Sequence, residues 1–327
     1  MSGPDMTILL SGVVAGAAPV LLATLGETIT EKSGIINLSL DGTIILCAMT
    51  AFVVALNSGS ILMGFAAASF VGAIIASVVA LFSIHLRLPQ VAVGFVLTLM
   101  TRDLAYFLGS PYARTEGLQV AHLPIDTLSE IPWLGKILFS HSLPVYFSMV
   151  MIILCWWYIY RTPYGLAMRA VGENPDAAYA RGINPGMVQI IYAVSGGFLV
   201  GIAGATFSLC IKPGWGQPQG CEGSGWIALA LVIFGGWNPL KAAAGAYLFA
   251  FLQVSSIYLQ GWYPQIPAQV FQVAPFPLMI LMLVVMSLVQ HESFRRVAFK
   301  HHLLRSLIQS ISGAAPAALG RQKKIDI

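Results

Sequence analysis

Uncharged runs dominate this chain, and a helix needs about 20 mainly apolar residues to cross a hydrocarbon core. Six runs can be marked before residue 212: 8–25, 35–56 (which holds Asp41), 61–84, 91–108 (which holds Arg102 and Asp103), 145–160 and 188–211. A seventh, 223–240, is rich in glycine. From Ala242 to Gln290 no charge occurs over 49 residues, which suits two spans broken near residues 261–267. The pattern predicts an all-α fold, a polytopic transmembrane helical bundle of about nine spans, with eight or ten as the neighbouring counts.

Composition removes the soluble alternative. Hydrophobic residues make up 57% of the 327 and charged residues 9%, against roughly 25% charged in a soluble domain. The net charge of +4 is too mild to suggest nucleic acid as a partner. Its distribution says more: the segment between spans five and six and the stretch after Gln290 hold ten of the 17 basic residues. Short loops rich in Lys and Arg stay cytoplasmic, so both are expected inside and the N-terminus outside. Residues 1–290 then form the transmembrane domain, with an outer loop at 109–144 and a cytoplasmic loop at 162–186. Residues 291–327 form a basic cytoplasmic tail whose stretch 291–309 reads either as an amphipathic helix on anionic lipid or as a frayed basic terminus. Positions 1–7 carry Asp5 and no Lys or Arg, so no removable signal is expected. Cys47, Cys155, Cys210 and Cys221 form no CxxC pair; packing is their simplest use, with a Cys210–Cys221 disulfide as the alternative.

The loop 162–186 has the clearest local chemistry. Asn174 suits an N-cap, Pro175 the first helical position, Asp176 the positive end of the helix dipole, and Gly182 followed by Pro185 a stop. A short rigid helix is expected over 175–181, suited to receiving force from a cytoplasmic partner; an ordinary capped surface loop is the plainer reading. Asn37 and Asp41, four apart, would share a helix face, and an intramembrane acid is costly unless it faces protein or water. They fit either a translocation path or helix-to-helix hydrogen bonding. Arg102 and Asp103 are adjacent and should point about 100° apart, as a snorkelling helix end or a substrate contact. Gly197 and Gly201 form a GxxxG packing signal. The segment 212–226 offers Trp215, Gln219 and Glu222 on a glycine-rich backbone, for a planar or sugar-like solute, for docking of an outer protein, or for an interfacial belt.

Catalysis finds no support. Residues 26–33 imitate GxxxxGK[ST], but Glu31 stands where the second glycine belongs and a carboxylate would face phosphate. The six histidines show no ligand spacing inside a span, so no metal site and no cofactor are expected.

Three stretches carry a family resemblance. GENPDAAYARGINP resembles the cytoplasmic coupling loop of permease subunits of ABC importers. EKSGIINLSLDG and LVIFGGWNPLKAAAGAYLFAFLQ are similar to the early and late motifs of the permeases for nucleosides and simple sugars, a branched-chain amino acid-like group. The resemblance implies a multi-pass protein of the cell (inner) membrane that forms a solute path, not an enzyme. It implies cytoplasmic ATPase subunits, a second permease (identical or different) and an outer solute-binding protein as partners. Coupling would fall to Arg169, Gly172, Glu173, Asn174, Pro175, Asp176 and Arg181. The path would run by Asn37, Asp41, Arg102, Asp103, Trp215, Gln219 and Glu222. An ion-coupled transporter working without an ATPase is the alternative.

Overall fold

The structure, a computed structural model, describes residues 6–129 and 131–263, the positions 265–267, 270, 273, 277, 280, 281 and 284, and the segment 314–320. Helices dominate, in the order α1 (Met6–Lys32), α2 (Leu40–Ser58), α3 (Ile61–Ile84), α4 (Gln90–Gly109), α5 (Asp126–Ser129), α6 (Leu134–Leu138), α7 (Leu143–Arg161), α8 (Pro163–Glu173), α9 (Pro175–Ala180), α10 (Pro185–Thr206), α11 (Ser224–Phe234) and α12 (Pro239–Trp262). A 3-10 turn extends α4 and a π-helical turn, Phe207–Ile211, extends α10. Among the described residues, seven helices are long and apolar enough to cross a membrane: α1, α2, α3, α4, α7, α10 and α12. They answer to runs one to six and eight of the sequence. The ninth expected span falls largely outside the described residues, as does the tail stretch 291–309.

Helix α1 is the hub. It packs against α10, α12, α11 and α7, and every residue from Val20 to Glu31 is buried. Its run of small residues lets α10 close in: Gly26 and Gly196 approach so tightly that a Cβ at Gly26 would lie 2.6 Å from the Gly196 carbonyl. The expected GxxxG works against α3, where a Cβ on Gly197 or Gly201 would meet the Gly72 or Ala68 carbonyl at 2.5 or 2.4 Å. Large apolar side chains on α3, α4 and α7, such as Phe70, Val96, Phe107, Ile153 and Trp157, point outward and remain uncovered. That is the arrangement of a bundle whose surroundings are apolar.

Two sequence expectations are corrected. Run two does not begin as a helix at residue 35: α1 continues to Lys32, residues 33–39 are irregular, and α2 starts at Leu40. The stretch between runs one and two is buried, with Glu27, Glu31 and Ser33 at most 3% exposed. Run seven is not a full span. Its helix, Ser224–Phe234, has 11 residues, or about 16 Å at 1.5 Å per residue, and the last two residues of the run already belong to α12. Glycines at 220 and 223 with positive φ, and the turn at 235–238, interrupt the run on either side.

Candidate functional site

Irregular backbone inside an apolar bundle must find its hydrogen bonds from its neighbours, and several groups of residues 33–39 do so. The Ile36 N–H donates to Gln90 Oε1 (2.8 Å) and the Asn37 N–H to Glu27 Oε1 (2.9 Å). The Ser39 N–H donates to Asn37 Oδ1 (3.1 Å). Thr98 Oγ1 donates to the Leu38 carbonyl (2.6 Å), and Gln189 Nε2 to that of Ser33 (3.3 Å). Asn37 thus sits in the break, bonded also to the Ser39 hydroxyl (2.5 Å). It does not share a helix face with Asp41, because the turn that would align them is unwound.

Helix α4 serves as a ruler for depth. Its first residue, Gln90, holds Ile36; Thr98 lies against Gly42; Gly109 lies against Trp215. At 1.5 Å per residue these levels are separated by about 12 Å and about 16 Å. Helix α2 therefore starts well inside the bundle. Helix α11 starts at the same depth. The Gly225 N–H donates to Asp41 Oδ1 (3.1 Å), and a Cβ on Gly225 would lie 2.2 Å from the Asp41 nitrogen. Only glycine permits this approach. Two helix N-termini thus meet at a buried carboxylate, which satisfies free amide groups of the second.

The segment 212–223 descends to that meeting point and is held by Glu222. Its Oε1 accepts from the Tyr106 hydroxyl and from the Gln219 N–H (2.7 Å), and its Oε2 from the Gly220 N–H (2.6 Å). Half-burial alone would raise the Glu222 pKa. These donors outweigh it and hold the carboxyl below its ordinary value of 4.5. Gln219, 1% exposed, bonds the Gly216 N–H (2.9 Å) and the Gly214 carbonyl (2.9 Å), while Lys212 Nζ donates to the Gln219 carbonyl (2.7 Å). Trp215, 5% exposed, packs on Tyr106 with ring centroids 5.8 Å apart. It belongs to the core rather than to an interfacial belt. A cavity of 440 Å³ opens above, lined by Arg114, Thr115, Glu116, Lys212, Trp215 and Gln219, among others.

The structure thus brings Asp41, Trp215, Gln219 and Glu222 into one constellation, with Arg102 near enough to act on Asp41 electrostatically. Asn37 belongs to the break below. Arg102 and Asp103 do pair, contrary to the expected divergence: Nε to Oδ1 is 3.9 Å, with both side chains about half or more exposed (49% and 78%). Long side chains bend toward each other where backbone directions diverge. All four cysteines are free.

Sequence reasoning missed Glu27 and Glu31. Glu31 accepts the indole N–H of Trp237 from the α11–α12 turn, and Glu27 Oε2 is buried with no donor among the described residues. Two acids one turn apart beside an apolar run were the available signal, masked by their likeness to a loop sequence.

The loop 162–186 forms the expected short helix as α9. Asn174 Oδ1 caps it by accepting the Ala177 N–H (3.0 Å), Pro175 opens it, and Gly182 closes it at φ +82°. Glu173, Asn174, Asp176 and Arg181 are exposed, whereas Gly172 is buried and Arg169 faces inward, its guanidinium 5.3 Å from the Tyr160 ring centre. Three apolar side chains not singled out beforehand, Tyr164, Leu166 and Tyr179, stand 59–70% exposed on the same pair of helices. Helix α8 bears directly on the bundle. A Cβ on Gly172 would lie 2.1 Å from the Lys32 carbonyl at the end of α1, and Tyr192 on α10 donates to the Tyr164 carbonyl (3.0 Å).

Among known families, residues 9–285 match the permease component of branched-chain amino acid transport systems. The chain belongs to this family. This permease is 34% identical over 256 residues to a putative glucose ABC transporter permease of Haloferax volcanii, covering 77% of this chain and 78% of that protein. It is 31% identical to a nucleoside ABC transporter permease of Lactococcus lactis (85% and 92% covered) and 30% identical to a guanosine ABC transporter permease of Bacillus subtilis (85% and 91%). No solved structure matches. The permease is an integral inner-membrane subunit of an ATP-driven importer, whose ATPase is a separate chain and whose system includes a solute-binding protein. The ion-coupled alternative is set aside on that ground.

Proposed function

We propose that this permease carries an uncharged, hydroxyl-rich solute, a nucleoside or simple sugar, from the cavity at Trp215 past Asp41 toward the break at residues 33–39. The convergence of the α2 and α11 N-termini on Asp41 carries this reading. Discontinuous helices in transporters offer amides and carbonyls to a solute near midplane, and here both ends abut a polar, hydrogen-bonded segment. The nucleoside, guanosine and glucose permeases among the relatives support the solute class. The basic residues of 162–186 and 291–327 support a cytoplasmic C-terminus and an outer N-terminus. In that orientation α8 and α9 face the ATPase, and the cavity faces the solute-binding protein. Each permease would pair with a second, identical or related one.

ATP-driven motion would enter through Tyr164, Leu166 and Tyr179 and pass to α1 where Gly172 touches Lys32. Asp41→Asn tests the path in permease reconstituted with its ATPase and solute-binding protein. Hydrogen bonds to a charged group contribute on the order of 1.5 kcal/mol or more, so solute uptake is expected to fall about tenfold or more with membrane insertion intact. Undiminished uptake would contradict a path at Asp41. Competition by unlabelled nucleosides against sugars then distinguishes the two solute classes.

A further inference from the structure

The segment 314–320, remote in sequence from everything it touches, lies across the seam between the α8–α9 pair and the break after α1. The Ala318 N–H donates to the Gly172 carbonyl (2.9 Å) and the Gly320 N–H to that of Gly34 (3.3 Å). The Ala317 N–H reaches Glu173 Oε2 (3.3 Å). Pro316 and Ala318 are buried, and Gly320 lies against Ile36, where a Cβ would come within 2.9 Å of its Cδ1. Two positions without side chains make the groove. Gly172 lets the Lys32 carbonyl approach on one side and Pro316 on the other. Gly34, at φ +100°, takes a conformation closed to most residues. A short turn of mostly small residues, held by its backbone donors, is what so narrow a seam admits.

We propose that 314–320 is an intramolecular strap occupying a peptide groove at the coupling seam, and that it binds α8 to the 33–39 break so that the two move together. The proposal rests on the coupling reading given above. Without the strap, the α8–α9 pair still meets α1 through Gly172 but can slide on it. With the strap, displacement of Glu173 is transmitted to Gly34 through two carbonyl-accepted bonds and the carboxylate bond. The strap therefore fixes how much of each ATP-driven stroke reaches the solute path.

The test uses the full permease with its ATPase in lipid nanodiscs, comparing wild type with Ala318→Pro, which deletes the donor to Gly172. Ala314→Pro, at an exposed position of the same segment, is the control. Hydrogen exchange of a peptide covering 317–320 should be protected in wild type and in the control. It should quicken about fivefold in Ala318→Pro, the effect of one backbone hydrogen bond. Solute moved per ATP hydrolysed, with the solute-binding protein added, should fall at least twofold (about half the wild-type ratio) in Ala318→Pro alone. Exchange in wild type as fast as in a free peptide overturns the strap. So does an opened strap with an unchanged ratio. If α9 proved not to touch the ATPase at all, the coupling reading would fall with the proposal, and exchange, which needs no ATPase, tells the two failures apart.

Discussion

At the scale of residues, single polar groups decide where backbone may leave the helix. Gln90, Thr98, Gln189 and Glu27 each satisfy one backbone group of the 33–39 break, and an unmet group there would cost on the order of 1–3 kcal/mol. Glu222 does the same for 212–223. Its folded pKa is depressed, so its contribution to stability is full above 4.5 and is lost as pH falls through the lower folded value. Thermal unfolding in detergent should show wild type losing stability over the window that runs from 4.5 down through the lower folded value. Glu222→Gln should begin lower at pH 7 and lose less over that window; equal slopes would contradict the anchoring role. Asp41 stood out in the sequence as an acid in an apolar run, whereas the anchoring of 212–223 by Glu222 did not, because its glycine-rich, aromatic neighbours suggested contact with a solute or partner. Glu27 and Glu31 did not stand out either, because Thr28, Thr30, Lys32 and Ser33 around them imitate a loop.

At the scale of elements, what could be read depended on whether the signal was local. The α9 helix was legible in full because caps are local chemistry: Asn174, Pro175 and Gly182 fill their positions whatever surrounds them. The half-length α11 was not, since hydropathy records apolarity and not depth, and a run of 18 residues reads as a span whether it crosses or turns back. The break before α2 was hidden for a related reason: most of its side-chain partners, Gln90 and Thr98 on α4 and Gln189 on α10, are far away in sequence. Removing the cap by Asn174→Ala should cost about 1 kcal/mol of α9 stability. Frayed amides over 175–180 in hydrogen exchange, together with a lower ratio of transport to ATP hydrolysis, are the expected outcome. Unchanged exchange would mean that packing of Ala178, and not the cap, holds the helix.

At the scale of the whole molecule, the bundle is organised around one buried helix. Glycine contacts fix α10 against α1 and α3, which leaves α2 and α11 as the parts with unwound ends. A rigid frame with two discontinuous elements is a mechanical design: force applied at α8 meets α1 at Lys32, and the break at 33–39 is the next part of the chain. Of the nine spans expected from sequence, seven are long apolar helices among the described residues, one folds as a half-helix and one lies largely outside the described residues. The family, by contrast, was legible from three short motifs.

The central claim is that the ATPase grips α9. Tyr179, 70% exposed on that helix, is the place to ask. With Tyr179→Cys in the assembled transporter, a short thiol cross-linker should join the permease to the ATPase subunit, and ATP should change the yield. In intact cells an impermeant thiol reagent should leave Cys at this position unlabelled. Labelling from the outer face, with no cross-link to the ATPase, would contradict the account.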